Sequence, residues 1–93
     1  MTPVTALRIH PSDNVATAIA DLGAGTEVTI DQVDIRLTDA IARGHKLALV
    51  PIACGEAVTK YGFPIGRATA DIAPGAHVHS HNLATALDSA DGA

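Results

Sequence analysis

The sequence predicts a mainly β, turn-rich domain, and three observations carry that expectation. A seven-residue pattern occurs four times; apolar residues alternate with period two between its first copies; and the apolar content is aliphatic. Of the 44 residues that make up the 47% hydrophobic fraction, 18 are Ala, 8 Ile, 7 Val and 7 Leu, against one Phe, one Tyr and no Trp among 93 residues. A chain of this length is one domain or a piece of a larger assembly, and buries about 60–65% of its unfolded surface. Its core has to be built from methyl groups. Such a thin core favours a partner chain or self-association into a homo-oligomer.

The pattern is aliphatic, two residues, Gly, two residues, aliphatic. It appears as Leu22-Gly23-Ala24-Gly25-Thr26-Glu27-Val28 and as Ile41-Ala42-Arg43-Gly44-His45-Lys46-Leu47. It recurs as Ile52-Ala53-Cys54-Gly55-Glu56-Ala57-Val58 and as Ile72-Ala73-Pro74-Gly75-Ala76-His77-Val78. Each copy reads as an apolar anchor, a tight turn and the start of a strand. Pro74-Gly75 gives the reason: proline pre-sets φ at the second turn position and glycine accepts positive φ at the third, which makes a type II turn. The intervals between the four glycines are 19, 11 and 20 residues. That is too irregular for a solenoid of equal units.

The elements follow in order. Ser12-Asp13-Asn14 offers helix-capping side chains before Val15-Ala16-Thr17-Ala18-Ile19-Ala20, which predicts a short helix ended by Gly23 and Gly25. Val28 and Ile30, then Val33, Ile35 and Leu37, alternate with polar residues and predict two strands. Leu47-Ala48-Leu49-Val50 predicts a buried strand stopped by Pro51. Lys60-Tyr61-Gly62-Phe63 reads as a hairpin-like loop in which the two aromatic rings could pack side by side. Residues 1–83 form the expected domain, and 84–93 a flexible acidic tail.

Several function classes are disfavoured. The net charge of −4 offers no basic face for phosphates, and the aromatic set is too small to stack bases, so no nucleic-acid partner is expected. No apolar stretch approaches the ~20 residues of a membrane helix. No basic region followed by an apolar run marks a secretory signal, so a cytoplasmic protein without a membrane partner is expected. The single cysteine, Cys54, suits a reducing compartment and reads as a small hydrophobe in an apolar stretch. Neither a phosphate-binding loop nor a dinucleotide fingerprint occurs.

Histidine is over-represented, with five residues, and three of them form His77-Val78-His79-Ser80-His81. On a strand, positions 77, 79 and 81 share one face, with neighbouring imidazoles about 6–7 Å apart, so one metal ion can take two of them. The same face could equally be merely solvated. Lys60, Tyr61 and Arg67 could act as acid, base or carboxylate anchors. Gly44-His45-Lys46 puts an imidazole and an ammonium on one turn, where an anionic ligand, Asp39 or solvent could meet them.

Five ordered blocks carry a resemblance. They are 13–16, 44–49, 52–58, Lys60-Tyr61-Gly62-Phe63-Pro64-Ile65-Gly66-Arg67-Ala68, and Gly75 through Asn82. Over residues 7–83 the chain resembles the amino-terminal SAF domain of altronate and galactarate dehydratases, which also occurs as a free small subunit. The resemblance implies a mainly β, SAF-type β-clip fold with one or two short helices. It implies a large dehydratase subunit as partner, a sugar-acid substrate, and dehydration of a 2,3-dihydroxy acid to a 2-keto-3-deoxy acid, with no activity from this chain alone. It implies a divalent metal, Fe(II) or Mn(II), shared with the large subunit and held by His79 and His81, with His77 as a third ligand. His45, Lys46, Lys60 and Tyr61 are then the catalytic candidates, and Asn14, Arg67 and Asn82 the substrate-binding ones. Two alternatives stand beside this reading. One is the small subunit of a sulfolactate sulfo-lyase, which expels sulfite instead of water. The other is a non-catalytic SAF-type carbohydrate-binding or assembly module.

Overall fold

The computed structural model describes residues 4–85, and every regular element in that range is a β-strand. They are β1 (Ala6–Leu7), β2 (Val15–Ala18), β3 (Glu27–Ile30), β4 (Val33–Arg36), β5 (Lys46–Ala48), β6 (Ala57–Lys60), β7 (Phe63–Ala68), β8 (His77–Val78) and β9 (Leu83–Thr85). All pairings are antiparallel, in three sheets of order β1-β2-β5-β8, β3-β4 and β6-β7-β9. β9 takes in Ala84 and Thr85, the first residues of the expected tail, while 86–93 lie outside the described residues. Among the described residues no helix is long and apolar enough to cross a membrane.

The fourfold pattern is the framework. The anchors pair as isolated antiparallel bridges, Leu22 with Ile41 and Ile52 with Ile72. Each bridge closes with two reciprocal backbone hydrogen bonds of 2.8–2.9 Å. The glycines that follow all have positive φ, at 85°, 85°, 91° and 83°. Each turn also grips one residue of another segment in the same way. The Gly25, Gly44, Gly55 and Gly75 N–H groups donate to the carbonyls of Leu37, Ala18, Ala68 and Ala48. The N–H of each gripped residue returns to the carbonyl just after the glycine. Asp21 and Asp71, just before an anchor, accept from the backbone N–H of Arg43 and Cys54 at the facing turn. Gly75 shows why no other residue serves there. A Cβ at that position would sit 2.2 Å from the Arg36 carbonyl oxygen.

The helix expected over 15–20 is replaced by strand β2. Its burial explains the mistaken period. Ala16 and Ala18 belong to one apolar cluster with Leu22, Val28, Ile30, Ile35, Leu37, Ile41 and Leu47. Val15 faces a second cluster with Ala48, Ile52, Val58, Ala68, Ile72, Val78 and Leu83. A strand covered on both faces shows no apolar–polar alternation, and its small residues resemble helix formers. Ser12 and Asp13 accordingly cap no helix. They lie in a turn closed by the Asp13 N–H donating to the His10 carbonyl at 2.9 Å.

The two cores are wholly aliphatic, and the molecule is drawn out to 47 × 23 × 20 Å. Phe63 is 71% exposed and Tyr61 55%, so neither ring fills a core. Tyr61 and Gly62 form the two-residue β6–β7 turn, with φ of 57° and 78°, the geometry that suits the twist of a tight hairpin. Cys54, which reads from sequence as a small hydrophobe in an apolar stretch, is exposed on the third turn.

Candidate metal centre

β8 ends at Val78, so His77, His79 and His81 do not share a strand face as expected. The chain bends instead, and the Asn82 N–H donates to the His79 carbonyl at 3.1 Å. The ladder between β5 and β8 supplies another imidazole. Lys46 pairs with Val78 and Leu47 with His77, which brings the second and fourth turns together. His45 then lies against both histidines, with ring centroids 5.1 Å from His77 and 4.2 Å from His79, stacked within 10°. The His45 Nδ1 is 2.9 Å from the His77 Nε2. One nitrogen from each of His45, His77 and His79 falls within 4.8 Å of the others. His81 stands outside this group, exposed, with its ring 5.3 Å from that of His77 and tilted by 36°.

Backbone bonds fix the cluster. The Asn82 side chain, only 8% exposed, donates from Nδ2 to the His77 carbonyl at 2.8 Å. Its Oδ1 accepts the His79 N–H at 2.9 Å. Asp39 accepts the His77 N–H at 3.0 Å. Burial, together with the charges of His45, His81 and His79, pushes the His77 pKa down against the opposing pull of Asp39. Partial burial, His45, Lys46 and His81 do the same to His79. Lowered values keep these imidazoles neutral with a lone pair available, which is the form that ligates Zn, Fe(II), Mn or Ni. In this structure the rings stack; turned toward a common point, their three nitrogens could hold a divalent cation with open coordination positions. Such a cation would replace the His45–His77 hydrogen bond.

Lys46 flanks the imidazoles. Burial and the charge of Lys60 lower its pKa. With His79, Ser80, Leu83 and Thr85 it lines a cavity of about 230 Å³. Lys60 and Tyr61 occupy the β6–β7 tip, with the Lys60 Nζ 4.9 Å from the centre of the Tyr61 ring. Asp13 holds that tip, its carboxylate accepting the N–H groups of Tyr61 at 3.1 Å, Gly62 at 2.8 Å and His10 at 3.0 Å. Burial opposes the Asp13 charge, but these three donors and the His10 charge outweigh it and lower its pKa. Asn14 spends both ends of its amide on β6, donating to the Ala57 carbonyl at 2.9 Å and accepting the Thr59 N–H at 2.8 Å. Arg67 donates to the Gly55 carbonyl at 2.9 Å, on the third turn.

The imidazole cluster thus includes His45, which local spacing leaves out, and has His81 at its edge. The signal that could have found His45 is the repeat itself, since His45 and His77 follow the glycines of the second and fourth copies.

These features define a small antiparallel β domain, assembled from four equivalent glycine turns, with an imidazole cluster where two of them meet. Residues 4–86 match the family described as altronate/galactarate dehydratase SAF domain, and the chain belongs to that family. Altronate dehydratase of Escherichia coli (strain K12) is 55% identical over 85 residues, covering 91% of this chain and 17% of that protein. Altronate dehydratase of Bacillus subtilis (strain 168) is 44% identical over 81 residues, covering 87% of this chain and 16% of that protein. The (2R)-sulfolactate sulfo-lyase subunit alpha of Chromohalobacter salexigens is 38% identical over 85 residues, covering 83% of this chain and 90% of that subunit. The chain therefore spans about a sixth of the altronate dehydratases, but nearly the whole of the sulfo-lyase subunit.

Proposed function

We propose that this chain is the SAF component of a sugar-acid dehydratase of the altronate/galactarate type, acting with a large catalytic partner in the reducing cytoplasm. The observation that carries this reading is the 55% identity to an altronate dehydratase across 91% of the chain. The reaction removes the C2 proton of a 2,3-dihydroxy acid and expels the C3 hydroxyl as water. The resulting enol tautomerises to the 2-keto-3-deoxy acid. A divalent cation, Fe(II) or Mn(II), held by His45, His77 and His79 and shared with the partner, would stabilise the negative charge that develops beside the carboxylate.

The chain's own residues hold and orient. Asn82 and Asp39 fix the backbone of the imidazole turn. Asp13 and Asn14 fix the β6–β7 tip, so that Lys60 and Tyr61 present an ammonium and a phenol at an exposed edge, where they can bind hydroxyls or move protons. An incomplete wall around the site fits a domain that works against another surface.

The sulfo-lyase reading has one specific observation in its favour, the 90% coverage of a subunit alpha. Turnover by the chain together with the large dehydratase component separates the two. Altronate or galactarate dehydration that falls with bound metal in His45→Ala or His79→Ala supports the proposal. Sulfite release from sulfolactate without dehydration favours the alternative, and unchanged metal content and turnover in both variants would sink the site.

A further inference from the structure

Among the polar side chains expected to meet a substrate, both asparagines are already committed to the backbone. Asn14 and Asn82 use both ends of their amides on backbone groups, and Arg67 donates to Gly55. Lys46 is different. It is half-buried on β5, and among the described residues no carboxylate pairs with it. Directly opposite it on β2 stands Thr17, on the same sheet face by the antiparallel register. The Thr17 Oγ1 is buried and has no hydrogen-bond partner among the described residues. A partly desolvated cation and a buried hydroxyl with no acceptor are each unfavourable, and here they are cross-strand neighbours. An anion beside Lys46 would relieve the cation, whereas the Thr17 oxygen has no surface open to it.

The space for it is the cavity of about 230 Å³ that Lys46 shares with His79 and Ser80. At roughly 30 Å³ per water, it holds a charged head group with a few attached atoms. Resting on the dehydratase reading, we infer that Lys46 seats the anionic head group of the substrate in this cavity, next to the imidazole cluster. The head group is a carboxylate or a sulfonate. The seat fixes which end of the acid lies nearest the imidazoles.

The test is a two-dimensional NMR titration of the intact chain in metal-free buffer, so that no response passes through a cation. The probes are D-glycerate, whose only charged group is a carboxylate, and 2,3-dihydroxypropane-1-sulfonate, whose only charged group is a sulfonate. Glycerol and potassium chloride at matched ionic strength are the controls. Saturable shifts at Lys46, His79 and Ser80 are expected from at least one acid and from neither control. Tighter binding of glycerate assigns the seat to carboxylates, and tighter binding of the sulfonate assigns it to sulfo acids. Lys46→Met, which keeps the apolar stem, weakens binding about tenfold or more, whereas Lys46→Arg stays within a few-fold. Absence of saturable binding, or a folded Lys46→Met variant that binds like wild type, overturns the seat. Neither result depends on turnover or on the partner, so the dehydratase reading stands or falls separately.

Discussion

The His45 Nδ1 lies 2.9 Å from the His77 Nε2, although the two residues are 32 positions apart in sequence. One ring donates and the other accepts, and a cation that displaced the shared proton would find two nitrogens in place and His79 as a third. Replacing His45 with Ala should therefore weaken metal binding by the isolated chain at least about tenfold, as should His77→Ala. His81→Ala should leave it within a few-fold. Zinc or cobalt(II) titration, read by calorimetry or by the cobalt spectrum, separates this triad from one that includes His81.

Asn82 ties the His77 carbonyl to the His79 N–H through a single buried amide. Asn82→Ala should lower metal affinity about tenfold by loosening the ring positions, without removing a ligand. It should also cost about 1–3 kcal/mol of stability, since it leaves buried backbone groups unpaired. Metal titration beside urea unfolding measures both. Undiminished affinity would mean that the imidazoles are positioned by something else.

Asp13 is the acid-sensitive joint. Its folded-state pKa lies below the ordinary aspartate value, so its contribution is complete above about pH 4 and is lost as pH falls through the lower folded value. Asp13→Asn should destabilise the domain by about 1–3 kcal/mol at pH 7. It should also flatten the decline of stability between about pH 5 and pH 2. Urea midpoints of both proteins across that range test the sign.

Gly75 and Gly55 have nearly the same φ, 83° and 91°, but different surroundings. A Cβ at Gly55 meets nothing within 4 Å, whereas at Gly75 it would sit 2.2 Å from the Arg36 carbonyl oxygen. Gly55→Ala should cost about 1–2 kcal/mol for the left-handed backbone alone. Gly75→Ala should cost clearly more, because the Arg36–Leu37 backbone has to shift. Equal unfolding midpoints for the two variants would contradict the close approach.

The sequence made parts of this molecule legible and hid others for physical reasons. Turns at Gly25, Gly44, Gly55 and Gly75 were readable because turn chemistry is local: it depends on a φ that glycine accepts. Strands β3 and β4 were readable because their hairpin buries one face and so alternates. β2 was not, because Val15 and Ala16 are buried against different cores and the period of two disappears. Residue type marks His45 as a candidate for chemistry but not for a place in the imidazole cluster. Its place beside His77 depends on the β5–β8 register, which no local spacing encodes. Residue type marks Lys60 and Tyr61, yet Asp13 and Asn14, the side chains that hold their loop, have the residue types of helix caps.

On the proposed reading, this SAF domain completes a dehydratase site and does not form one alone. The most direct measurement is turnover of altronate and galactarate by the chain alone, by the large dehydratase component alone, and by the two together, with wild-type chain and with His45→Ala. No turnover is expected from the wild-type chain alone, full activity only when the two are combined, and a loss of at least about tenfold with His45→Ala. Turnover by the isolated chain, or a combined activity that His45→Ala leaves untouched, would contradict it.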